Sequence, residues 1–144
     1  MLKFIERFIA PRKPRATPRQ QTGLWGERQA ERHLTAKGYK ILGRRFRVGR
    51  RDEIDLIARI ADTLVFIEVK TRAGEDFGRP FSAVDRAKRF HLARAAIRYL
   101  KQLKTQPASF RFDVVEIIGA KNTANLIVRH IENAFPLPKY FRVP

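Results

Sequence analysis

Residues 53–70, EIDLIARIADTLVFIEVK, decide the fold. Apolar and β-branched residues dominate both halves and no proline interrupts them. The stretch therefore predicts two β-strands, EIDLIARI and TLVFIEVKT, meeting at residues 60–63. If Ala61 and Asp62 form a two-residue hairpin loop, Ile60 pairs with Thr63, and further along the same ladder Asp55 stands opposite Glu68. The strand period of two sends Glu68 and Lys70 to one face, and Val65, Ile67 and Val69 to the other. One face would then gather Asp55, Glu68 and Lys70. Two carboxylates about 5 Å apart repel by roughly 3 kcal/mol at an effective dielectric of about 20, and like charges directly opposite destabilise a sheet. Lys70 could neutralise one of them, whereas a divalent cation would stabilise both. The pair Ala-Asp lacks the glycine or asparagine that two-residue turns favour, and a slip of one residue would turn Asp55 to the other face. On these residues alone, a metal site and a surface charge pattern without chemistry both stay open.

The chain of 144 residues is one domain by length, and at 44% hydrophobic and 10% aromatic it should fold. It has no cysteine, which removes disulfides, thiolate nucleophiles and Cys-based zinc sites and suits a reducing, cytoplasmic setting. No apolar run approaches the roughly 20 residues a membrane-spanning helix needs. Lys and Arg number 31 against 14 Asp and Glu, a net charge of +17, which points to an anionic polymer and to nucleic acid first. Residues 1–20 contribute only +5 of this, through Lys3, Arg7, Arg12, Lys13, Arg15 and Arg19 against Glu6, so the folded part is itself basic.

The opening MLKFIERFIA could form a short amphipathic helix, but Glu6 and Arg7 interrupt it as a signal peptide. With the Pro- and Arg-rich PRKPRATPRQQ it reads as a solvated basic arm over residues 1–21. A helix is predicted from Gly23 to Lys37, capped by Thr22 and ended by Gly38. Leu24, Ala30 and Leu34 share one face of it, with Glu27 among them and Glu31 at the border. A carboxylate there costs several kcal/mol unless compensated, and a salt bridge to one of the many arginines is the plainer account of Glu27. Trp25 reads as a packing residue and His33 as a surface one. The three histidines, His33, His91 and His130, have no metal-ligand spacing.

Asp55 followed by Glu68-Val69-Lys70 resembles the Asp…Glu-x-Lys signature of the PD-(D/E)xK nuclease superfamily. More specific are GLWGERQAERHLTAKGYKIL, EIDLIAR, LVFIEVKTR, FGRPFSAVDRAKRFHL, RFDVVEI and ENAF, in that order. Together they resemble the YraN family of largely uncharacterised bacterial proteins over about residues 23–135. The resemblance implies a restriction-endonuclease-like fold related to archaeal Holliday-junction resolvases. It also implies Glu27, Asp55 and Glu68 as metal-binding carboxylates and Lys70 as the lysine beside them, with Mg²⁺ (or Mn²⁺) as the ion. The Val69 carbonyl could add an oxygen ligand. One departure is that the family usually reads Gly-Glu-Ile-Asp where this chain has Asp52-Glu53-Ile54-Asp55.

A second helix follows, with SAVD as a capping box of Ser82 and Asp85. Leu92, Ala96, Tyr99, Leu100 and Leu103 form its core stripe, while Arg94, Arg98 and Lys101 recur on another face. From Arg86 to Phe112 there are eight basic residues and no acid, which favours phosphate contact over mere solvation. Arg72, just past Lys70, is a further phosphate candidate. So is Lys88, which the resemblance places near the carboxylates as the match to a lysine typical of the family, and Asp113 reads as one half of a structural ion pair. FRFDVVEII and NLIVRHIENAF should close the sheet as a strand pair, ahead of a proline-rich tail at 136–144.

The expectation is thus an α/β domain over residues 22–135, with a mixed sheet flanked by helices in the order αβββαββ. Its best functional reading is a metal-dependent endonuclease acting on DNA, including branched DNA, as a monomer or homodimer. The rivals are a nucleic-acid-binding protein of the same fold without cleavage, and a basic RNA- or ribosome-associated protein.

Overall fold

A computed structural model describes residues 14–73, 84–122 and 124–144. The first helix is α1 (Pro18–Ala36), followed by strands β1 (Lys40–Val48), β2 (Asp52–Ile60) and β3 (Thr63–Arg72). Then come α2 (Arg86–Gln102), β4 (Ser109–Ile118) and β5 (Ile127–Phe135). This is the expected αβββαββ order, and the five strands form one mixed sheet in sequential order, with only β3 and β4 parallel. Antiparallel neighbours need short turns, whereas the parallel β3–β4 pair needs a crossover, and α2 supplies it.

The hairpin takes the predicted register. Ile60 pairs with Thr63 and the ladder runs to Leu56 opposite Ile67. Asp55 and Glu68 are the next residues on, where the recorded pairing stops. Ala61 carries the turn at φ +49°, a left-handed conformation that costs a non-glycine residue about 1 kcal/mol.

Alternation along the strands divides the core between two faces. Leu56, Ala58, Val65, Ile67, Val115 and Ile117 pack under Ala30 and Leu34 of α1. Leu64, Phe66, Phe112 and Val114 pack under Leu92, Ala96 and Leu100 of α2. Glu68 continues the Leu64–Phe66 series, so its carboxylate lies on the α2 side of β3 and is buried.

Both helix starts differ from expectation. α1 begins at Pro18 with Thr17 as its cap, Thr17 and Gln20 forming a reciprocal capping box with proline in the first turn. Residues 18–21, assigned to the basic arm from charge and proline content, form that first turn. Thr22 instead lies inside the helix, its hydroxyl bonded back to the Pro18 carbonyl at 3.0 Å. α2 is capped by Asp85, whose side chain accepts from the Lys88 N–H at 2.8 Å, while Ser82 lies outside the described residues. The opening segment MLKFIERFIA and most of the RAGEDFGRP loop also lie outside them. Gly38 fills the left-handed position after α1 at φ +90°, as predicted. The tail has no helix or strand, yet Leu137 and Phe141 pack against the α2-side core and the Phe141 ring sits 5.4 Å from that of Phe90. No helix among the described residues is long and apolar enough to cross a membrane.

Candidate functional site

The site forms where β2 and β3 part and α1 crosses their open end. Gly26 makes that crossing close: a Cβ on it would fall 1.9 Å from the Thr71 hydroxyl oxygen. Only glycine fits there, and its neighbour Glu27 is thereby held over the hairpin. A cavity of about 370 Å³ results, lined by Arg19, Thr22, Gly23 and Glu27 from α1 and by Asp55, Glu68, Val69 and Thr71 from the hairpin.

Each carboxylate in the cavity has a different setting. Asp55 accepts a 2.8 Å bond from the Val69 N–H and has no cation at salt-bridge distance among the described residues. Burial pushes its carboxyl up to about 8, the Glu68 charge adds to this, the Val69 bond offsets part, Glu27 raises it and Lys88 lowers it. Glu68 lies between two lysines, its Oε1 3.3 Å from Lys70 Nζ and 3.4 Å from Lys88 Nζ. Its other oxygen, Oε2, is buried with no hydrogen-bond partner among the described residues. Leaving such an atom unsatisfied costs on the order of 1–3 kcal/mol. Glu27 is claimed on both oxygens by the Arg45 fork at 2.9 and 3.0 Å, and Arg45 adopts φ +48°.

The donor set suits a hard divalent cation: two carboxylates lining one cavity, one carrying an orphaned buried oxygen, the other pushed towards protonation by burial and by the neighbouring Glu68 charge. Glu27, by contrast, is already paired. No three His, Asp or Glu side chains among the described residues are gathered at ligand spacing. The fit therefore rests on Asp55 and Glu68, with Glu27 reaching an ion only by leaving Arg45.

Of the residues singled out from sequence, Glu27, Asp55 and Glu68 share this cavity. Lys70 and Lys88 meet at Glu68 on its α2 side. Arg72, two residues past Lys70, lines a neighbouring cavity instead. Arg94 is not a free phosphate ligand, since it is bonded to Asp52 at 3.1 and 3.2 Å and lies beside His91. Burial alone would raise the Asp52 carboxyl, but His91 and Arg94 outweigh it and hold the pKa below the usual value. Asp52 thus ties the start of β2 to α2. Arg98 and Lys101 remain exposed. The acid-free run from Arg86 to Phe112 consequently has acidic partners after all, supplied by other elements: Asp52 for Arg94, Glu68 for Lys88 and Asp113 for Arg111.

Asp113 has the predicted structural pairing. It is buried, accepts from Arg111 at 3.0 Å and from the Asn133 N–H at 2.9 Å, and contacts His130 Nε2 at 2.7 Å. Burial raises its carboxyl, but these partners prevail and hold it low. One residue escaped the sequence reading. Glu116 is buried beside Lys70 in the parallel ladder, with Oε1 unpartnered among the described residues. The signal was available, since Glu116 sits inside the apolar run of β4 at a parity shared with Val114.

The family model described as Uncharacterised protein family UPF0102 matches residues 26–117, which include Glu27, Asp55, Glu68, Lys70 and Lys88. A UPF0102 protein of Symbiobacterium thermophilum is 48% identical over 118 residues, covering 81% of this chain and 97% of the relative. One from Chlorobaculum tepidum is 42% identical over 120 residues, covering 81% and 92%. Another, from Clostridium acetobutylicum, is 37% identical over 120 residues, covering 82% and 96%.

Proposed function

The chain belongs to the uncharacterised protein family UPF0102, the YraN family its motifs resemble, and on that premise we propose that it is a metal-dependent endonuclease hydrolysing phosphodiesters of DNA. The observation carrying this reading is the Asp55–Glu68 pair: two carboxylates sharing a cavity, one with a buried unpartnered oxygen and one driven towards protonation. A purely structural pair would be expected to carry its own compensating cations on both members. Asp55 and Glu68 would hold Mg²⁺, which when bound supplies charge to polarise the phosphodiester and to acidify water.

The chain's own residues do the rest. Lys70, 3.3 Å from Glu68, has its ammonium held beside that carboxylate and is suited to orient the attacking water and offset charge on the pentacoordinate transition state. Lys88 approaches the same oxygen from α2 and can bind a non-bridging phosphate oxygen. The Val69 N–H donates to one oxygen of the Asp55 carboxylate and so restrains its orientation, leaving the other oxygen for an ion. Arg98 and Lys101 offer sequence-independent phosphate contacts on the exposed face of α2.

A second reading, a DNA-binding protein that does not cleave, draws on Arg45. Its fork occupies the Glu27 oxygens that would complete a ligand set. One assay separates the two. Purified protein is incubated with Mg²⁺ or Mn²⁺ and linear, single-stranded or four-way-junction DNA, beside Lys70→Ala. Metal-dependent cleavage that Lys70→Ala abolishes is expected; binding without cleavage of any substrate favours the second reading.

A further inference from the structure

Across α1 from the carboxylates lies a second cavity, of about 590 Å³. From α1 it is lined by Pro18, Gln21, Trp25 and Arg28, three or four residues apart and so on one helix face. Arg72 of β3 and Lys121 of the β4–β5 connection form the opposite wall. Among the described residues every charged side chain in the lining is cationic, and neither Arg28 nor Lys121 has an acidic partner. Thr22 and Thr71 line both this cavity and the carboxylate cavity, so the two adjoin.

We infer that this cavity holds an unpaired nucleotide of a DNA strand, its base against Trp25 and its phosphates on Arg28 and Lys121. An aromatic face beside a cationic wall is the combination that binds single strands, because every base offers a π-face and every linkage a charge. The volume falls within the range of about 300–1,000 Å³ typical of small-ligand pockets, enough for a nucleoside but not for a duplex. Paired bases are stacked out of reach, so the cavity selects substrates with an unpaired stretch beside the phosphate that meets Asp55 and Glu68. Trp25, which also packs in part against the α1-side core, takes on a second role. This assignment deepens the nuclease reading and relies on it only for the choice of DNA.

Trp25 is the only tryptophan of the chain, so its emission reports the cavity directly. The full chain, in EDTA to prevent cleavage, is titrated with a thymidine strand of roughly ten nucleotides, with an abasic strand of equal length, and with a blunt duplex. Saturable quenching by the thymidine strand is expected, with the abasic strand binding about tenfold more weakly and leaving emission nearly unchanged. Trp25→Phe should retain affinity within a few-fold, and Arg28→Glu should lose about tenfold with an unchanged melting temperature. Equal affinity for thymidine and abasic strands, or binding by anisotropy without quenching, would overturn the assignment. Because no metal is present, the result is independent of cleavage. A non-cleaving protein that passes keeps the cavity and loses the nuclease; a cleaving protein that fails loses only the cavity.

Discussion

Replacing Asp55 by asparagine removes one negative charge from the cavity while leaving an amide oxygen to accept the Val69 N–H. In the folded protein the Asp55 carboxyl is pushed from 3.8 up to about 8, first by burial and then by Glu68. A carboxyl raised in this way favours the folded state in its neutral form. That contribution is complete below the unfolded pKa and is lost as pH rises through the folded one. At about 1.4 kcal/mol per pKa unit the ceiling is on the order of 5 kcal/mol above pH 8. Water entering the cavity and sharing of the cost with Glu68 reduce the expected gain for Asp55→Asn to roughly 2–3 kcal/mol at pH 8. Near pH 4 the two proteins should be nearly equal. Urea melts of wild type and variant in EDTA across this range measure the difference, and Mg²⁺ should stabilise only the wild type. A variant less stable than wild type at pH 8 without metal would refute the reasoning. It would make Asp55 a paired scaffold carboxylate, whose loss typically costs about 3–5 kcal/mol.

Gly26→Ala should lower stability by about 1–3 kcal/mol, because α1 must lift from Thr71, and Thr71→Ala should restore part of the loss in the double variant. Asp113→Asn should cost about 3–5 kcal/mol at neutral pH by unpairing Arg111 and His130. Since the Asp113 carboxyl is held low, that advantage exists above the unfolded carboxylate range and should fade as pH falls below it, which acid titration of both proteins would reveal. Arg98→Glu with Lys101→Glu should weaken DNA binding and flatten its salt dependence without changing the melting temperature, whereas Arg94→Glu should lower both, because Arg94 holds Asp52. Ala61→Gly should raise stability by about 0.5–1 kcal/mol by relieving the left-handed turn, read as a higher urea midpoint.

The hairpin was legible because parity is a strong constraint. Once two residues turn the chain, Asp55 and Glu68 must end side by side, and the unfavourable Ala61 only charges strain for it. The start of α1 was equally written in the sequence, as Thr17-Pro18-Arg19-Gln20, but arginine and proline density hid a capping box whose proline belongs in the first turn. What the sequence could not convey is which cation meets which anion. Arg45 meets Glu27 across 18 positions, Arg94 meets Asp52 across 42, and both depend on how far α1 and α2 swing over the sheet. The eight basic residues from Arg86 to Arg111 look unpaired in the sequence for this reason. Glu116 was legible in principle, from its place inside the apolar run of β4 at the parity of Val114, but only the covering of both sheet faces shows how deep it lies.

Calorimetric titration of Mg²⁺, and of Mn²⁺ where Mg²⁺ is weak, into metal-free protein at pH 8 tests the Asp55–Glu68 pair most directly. A single saturable site is expected in the wild type, abolished in Asp55→Asn and unaffected by Arg98→Glu. Absence of binding at millimolar metal in a folded wild type, or full binding by Asp55→Asn, would contradict it.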